Sequence, residues 1–163
     1  MKPSIAFAAA LVLAALAGAA QAHEVKAGDL TISSLAVRAT PPGVPNSAGY
    51  MTIANAGAKP DKLLSVSCAC AARVEAHMSH VMNGQAMMMP AGPVNVPAGG
   101  KVAFAPGGLH LMITGLNAPL VDGAMQELTL KFARAGTVKA GFHVRAKIDQ
   151  TAAEPMAGMR TGH

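Results

Sequence analysis

Aromatic side chains are scarce in this chain of 163 residues: four Phe, one Tyr and no Trp. Charge is sparse as well, at 13% Asp, Glu, Lys and Arg, with a formal balance of +5 that falls to +4 if Lys2 is lost with a leader. The basic residues are scattered, among them Lys59, Lys62, Arg73, Lys101, Lys131, Lys139, Arg145 and Lys147. Nucleic-acid binding needs clustered Lys and Arg with aromatic platforms for bases, so that class of partner is excluded. Neither a catalytic Ser-His-Asp set nor a pair of acids in a recognisable motif is present, and the chain is read as a non-enzyme. After the first 22 residues no stretch of about 18 uninterrupted apolar residues occurs, so no later segment is expected to span a bilayer. The residual positive charge suits a loose encounter with an acidic protein or a membrane surface.

The first 22 residues have the form of a secretory signal peptide. Met1-Lys2 is a short basic start, Ile5 to Ala20 is an apolar run rich in Ala and Leu, and Ala20-Gln21-Ala22 is a small-x-small cleavage site. The exported chain then begins at His23. No Cys stands at the cleavage point, which argues against a lipoprotein. The expected organisation is a signal peptide over 1–22, one domain over 23–150 and a flexible tail over 151–163. The expected location is the periplasm, and the expected state a monomer, peripheral to the membrane at most.

Short alternating segments dominate the domain. Asp29–Arg38 reads as a strand whose phase slips at Ser33-Ser34, the sign of a bulge. Ala48–Ala54, Leu63–Val66, Arg73–Met78, Lys101–Ala105 and Leu109–Ile113 follow, and Gln126–Phe132 with Val138–Ile148 form a closing hairpin around Ala135-Gly136. Asn83-Gly84 and Pro97-Ala98-Gly99-Gly100 are turn signals. About eight short strands with no amphipathic helix predict an all-β sandwich or barrel.

What the chain does have is methionine. Ten remain after Met1, against three Phe (Phe104, Phe132, Phe142) and one Tyr. A small β-domain usually fills its core with Val, Ile and Phe, and several of these Met lie in polar, Gly-rich or terminal contexts. In the strand Leu109-His110-Leu111-Met112-Ile113, alternation sends the aliphatic residues to the core and puts His110 and Met112 side by side on the other face. In Arg73–Met78, His77 shares a face with Arg73 and Glu75, away from Val74 and Ala76. The Asn83-Gly84 turn returns the chain to Met87-Met88-Met89 between these strands. Thioethers are soft, neutral ligands; zinc, calcium and magnesium sites do not ordinarily use them, whereas Met with His favours copper and above all Cu(I). A blue-copper electron carrier needs a Cys beside its His ligands, and neither Cys is near His110 and Met112 in sequence.

His77, ten residues, Met88, twenty-one residues, then His110-x-Met112 is a spacing that resembles the PCu(A)C-type periplasmic copper chaperones. Arg38-Ala39-Thr40-Pro41-Pro42-Gly43, Gly49-Tyr50-Met51-Thr52-Ile53-Ala54-Asn55 and Gly107-Gly108-Leu109-His110-Leu111-Met112 are similar to that family's segments, and the resemblance runs from Gly28 to Ile148. It implies a cupredoxin-like (Greek-key) β-sandwich or barrel with one Cu(I) held by His77, Met88, His110 and Met112. It also implies delivery to the Cu(A)-bearing subunit of cytochrome c oxidase or to another copper chaperone. The family's His-Pro-Trp segment is replaced here by Ser34-Leu35-Ala36.

Three features lie outside that pattern. Cys68 and Cys70 can form a disulfide in an oxidising compartment if the backbone bends; they also leave open an exported thiol-disulfide oxidoreductase, although no C-x-x-C opens a helix. A free α-amine on His23 would let that residue chelate Cu(II). Met156, Met159 and His163 in the tail repeat the soft-ligand theme, as a secondary copper site. A storage or resistance role in copper binding is the remaining alternative.

Overall fold

The alternating segments pair into one closed sheet. The computed structural model describes residues 23–148, in eleven strands and, among the described residues, no helix. They are β1 (Val25–Ala27), β2 (Leu30–Arg38), β3 (Asn46–Asn55), β4 (Asp61–Ser67), β5 (Ala71–Met82), β6 (Gln85–Pro90), β7 (Val94–Val96), β8 (Lys101–Phe104), β9 (Leu109–Leu116), β10 (Met125–Phe132) and β11 (Thr137–Arg145). Hydrogen bonding runs β2-β11-β10-β4-β5-β9-β3, and β3 pairs again with β2, which closes a seven-stranded barrel. Closure removes the free edges that a flat sheet would expose. β1, β6, β7 and β8 add to single strands at the margin.

Inward positions fill the barrel with Leu, Ile, Val and Phe. Ile32, Val37, Ile53, Val96, Leu111, Ile113, Leu128, Leu130 and Phe142 are fully buried, and Phe104 and Phe132 nearly so. In β2 the inward set changes parity, from Leu30 and Ile32 to Leu35 and Val37. The expected bulge makes that change: Ser34 has φ of 54°, and the register with β3 shifts between Ser33 and Ala36. Asp61 is buried at the start of β4, where its carboxylate accepts N–H bonds from Lys62, Arg134 and Ala135 at 2.7–2.9 Å and ties the β10–β11 turn to β4. Burial alone would push this carboxyl up; the three backbone donors and the nearby Arg134 charge outweigh it and hold the group below the ordinary Asp range.

Several expected boundaries need correction. The Arg73 strand extends to Met82, and Met87-Met88-Met89 is itself a strand, paired to it through a two-residue turn. Asn83 and Gly84 both have positive φ (52° and 77°), the type I′ geometry that suits a right-twisted hairpin. The last strand ends at Arg145, not Ile148, because the Asp122 carboxylate accepts the Ala146 N–H at 2.8 Å and takes it off the ladder.

Candidate metal centre

Strand register brings the four His and Met candidates onto one face. His77 in β5 stands directly opposite His110 in β9. One step along, Glu75 is opposite Met112, and Met112 is opposite Ala48 of β3. One step the other way, Ser79 is opposite Met88 of β6. Directly opposed residues in antiparallel strands share a face, as do residues two apart. Met88, His77, His110 and Met112 therefore line three consecutive rows with His110 in the middle. Met87 and Met89, opposite His80 and Met78, fall on the reverse face.

The two imidazole centroids are 6.3 Å apart, with ring planes inclined at 47°. A nitrogen–metal bond of roughly 2 Å on each side puts two ligating rings about 5–6.5 Å apart, so one ion fits between them. His110 donates Nδ1–H to the Gly108 carbonyl at 2.9 Å. That bond fixes the tautomer and leaves Nε2 with a free lone pair. The Nε2 of His77 is buried and has no hydrogen-bond partner; the Glu75 carboxylate is the nearest acid, at 3.5 Å. An orphaned buried nitrogen costs free energy unless something meets it. A metal ion would meet it.

Exposure differs from what alternation suggested for His110. It does lie on the face away from Leu111 and Ile113, but it is only 6% exposed, on a strand flanked by β5 and β3 and with its ring bonded to the Gly108 carbonyl. Met88 is 53% exposed on the projecting hairpin. Arg38, Tyr50, Met88, His110 and Met112 line an open depression of about 500 Å³. Among the described residues no three His, Cys, Asp or Glu side chains converge.

The other candidates lie elsewhere. Cys68 and Cys70 are joined in a disulfide across the β4–β5 turn, with their Cα atoms 5.1 Å apart on a bent backbone. Cys70 immediately precedes β5 and is seven residues from His77, about 20 Å along an extended strand. The His23 ring packs on His143, centroid to centroid 4.9 Å, and Met125 stands opposite His143. One His in an alternating strand carries no signal by itself, so the His143 contact is visible only in the folded chain. Met156, Met159 and His163 lie outside the described residues, as does the 1–22 segment.

The chain is similar to several known proteins in sequence and fold. The family model described as "Putative lipoprotein LpqE-like" matches residues 30–144. A protein of Leifsonia xyli subsp. xyli, "Putative lipoprotein Lxx21020", is 29% identical over 75% of this chain and 73% of its own length. The copper-bound PCuAC domain from PmoF2 superposes with a TM-score of 0.67 at 27% identity, over 77% of this chain and 99% of that one. CuI-DR1885 from Deinococcus radiodurans gives 0.56 at 27% identity, over 80% of this chain and 84% of that one. The fold is cupredoxin-like, as the sequence resemblance implied.

Proposed function

This chain belongs to the LpqE-like family, and from that premise we propose that it is an exported copper chaperone which carries one Cu(I) ion on His77, Met88, His110 and Met112. The observation that carries the reading is the pairing of His77 with His110, one ring with its Nε2 buried and unpartnered and the other with its tautomer set for ligation. Copper is cargo here. Two imidazoles and two thioethers are neutral, so a single positive charge is neither over-compensated nor left bare, and the soft sulfurs discriminate against harder ions. The copper-bound state of the PmoF2 domain and the Cu(I) state of DR1885 support the choice of metal.

The site is asymmetric. His110 is held from behind by Gly108, whereas Met88 sits on an exposed edge strand that pairs with β5 alone. A partner's ligand enters from the open depression, displaces Met88 first and then takes the ion from the more fixed residues. The proposed acceptor is the Cu(A)-bearing subunit of cytochrome c oxidase or a second copper chaperone. Cleavage after Ala22 would free the His23 amine, and the His143 ring would stand beside that amine–imidazole chelate as a further nitrogen ligand for Cu(II). The disulfide role is separate: Cys68 and Cys70 lie at the far end of β5 and contribute no ligand.

X-ray absorption at the copper edge during anaerobic Cu(I) titration tests the reading. The first equivalent should bind with mixed nitrogen and sulfur scattering, and the sulfur contribution should fall in Met88→Leu and in Met112→Leu. A spectrum without sulfur, or one unchanged in both variants, would reject it.

A further inference from the structure

The reverse face of the β5–β6 hairpin carries a second constellation of soft ligands. Along the barrel wall Val74 and Ala76 of β5 point inward: Val74 is buried and Ala76 partly so, packed against the core. That parity continues to Met78, His80 and Met82, but Met78–Leu109 is the end of the β5–β9 pairing. Beyond it one bond remains, from the Ser79 N–H to the Gly108 carbonyl at 3.1 Å, and β5 then pairs only with β6, so His80 and Met82 overhang the barrel and have no core to fill. Across from them β6 offers Met89 opposite Met78, Met87 opposite His80 and Gln85 opposite Met82. Met78, Met82, Met87 and Met89 are 41–54% exposed.

We propose that His80 and Met87, with Met78 and Met89, form a second soft-metal site for Cu(I) or Ag(I) on the face of the hairpin opposite the first. Directly opposed Cβ atoms are about 4.5–5.5 Å apart, and adjacent rows of one strand about 6.6 Å. Methionine has three rotatable bonds, enough for its sulfur to close such gaps onto one ion beside the His80 imidazole. The composition of the face argues for metal over simple apolar docking. Its outward apolar side chains on the hairpin all carry sulfur, at strand positions where Val, Ile or Thr would pair better. An imidazole sits in the middle row. The alternation of Met87-Met88-Met89 then divides one methionine run between two sites, the central sulfur to one face and the outer two to the other.

The inference does not rest on the first site, and the test separates the two. The exported chain, tail included, is labelled at its methionine methyls and titrated with Ag(I), which mimics Cu(I) without redox chemistry. Through two equivalents the methyl resonances of Met87, Met89 and Met78 should move, and they should still move in a His110→Ala/Met112→Leu variant that lacks the first centre. In a His80→Gln/Met87→Leu variant those of Met78 and Met89 should stay in place at the second equivalent, with affinity for that ion down at least tenfold, while Met88 and Met112 respond as before. Stationary Met87 and Met89 methyls, a second equivalent that moves only Met156 and Met159, or shifts that the His80→Gln/Met87→Leu change leaves intact would overturn the second site. Stationary Met88 and Met112 methyls would overturn the first instead.

Discussion

His77 and His110 face each other across β5 and β9 with ring centres 6.3 Å apart, and their second neighbours bring sulfur from two further positions, Met112 along β9 and Met88 across β5. One cross-strand pair thus sets the spacing of the whole centre.

The two sulfurs should not count equally. Met112 stands in the row between Glu75 and Ala48 at partial burial, whereas Met88 is half exposed on the edge hairpin. Met112→Leu should weaken Cu(I) by more than about tenfold, roughly 1.4 kcal/mol, and Met88→Leu should weaken it less while speeding release. Competition with a chromophoric Cu(I) chelator measures the first, and stopped-flow transfer to that chelator the second. Equal affinity losses and equal release rates would contradict the assigned exit route.

The disulfide should be dispensable for copper. A Cys68→Ser/Cys70→Ser double variant is expected to keep one Cu(I) equivalent with unchanged nitrogen and sulfur scattering, because the pair lies about 20 Å from His77 along β5. Loss of stoichiometry in that variant would place a cysteine in the centre.

Met156, Met159 and His163, outside the described residues, are proposed as a secondary copper site. Tethering raises their effective concentration near the domain, and 13 extended residues reach at most about 45 Å. A chain truncated after Gln150 should retain its first Cu(I) yet load more slowly or bind less Cu(II). Identical loading of both oxidation states would leave the tail without a role in capture.

Acid should destabilise the fold through Asp61. Its carboxyl pKa is lowered in the folded protein, so its stabilisation is complete above the unfolded value of about 3.9 and is lost as pH falls through the lower folded value. Asp61→Asn should be less stable at neutral pH, by about 1–3 kcal/mol for the disturbed backbone donors, and should show a flatter stability profile below about pH 4. Urea midpoints from pH 7 down to pH 3 supply the comparison; parallel profiles would show that another carboxylate governs acid unfolding.

Much of the architecture was legible because period-two alternation is local. The bulge at Ser33-Ser34, the placing of His110 and Met112 on the face away from Leu111 and Ile113, and the hairpin at Ala135-Gly136 follow from neighbouring residues; the burial of His110 does not. β6 was not legible. Proline disfavours strands, yet Pro90 ends an edge strand, where a missing N–H costs nothing to the barrel ladder.

By itself the sequence determined the all-β class, the non-core placement of His110, Met112 and His77, and the soft character of the candidate ligands, since each depends on side-chain chemistry and the two-residue period. Tertiary structure decided the rest. Which His faces which, the division of Met87-Met88-Met89 between two faces, and the burial of the His77 Nε2 all depend on the register between strands far apart in the chain. A one-residue slip in that register would have sent every ligand of one strand to the opposite face. Barrel closure fixes it, because β5 is held between β4 and β9 by the same core that the inward residues fill.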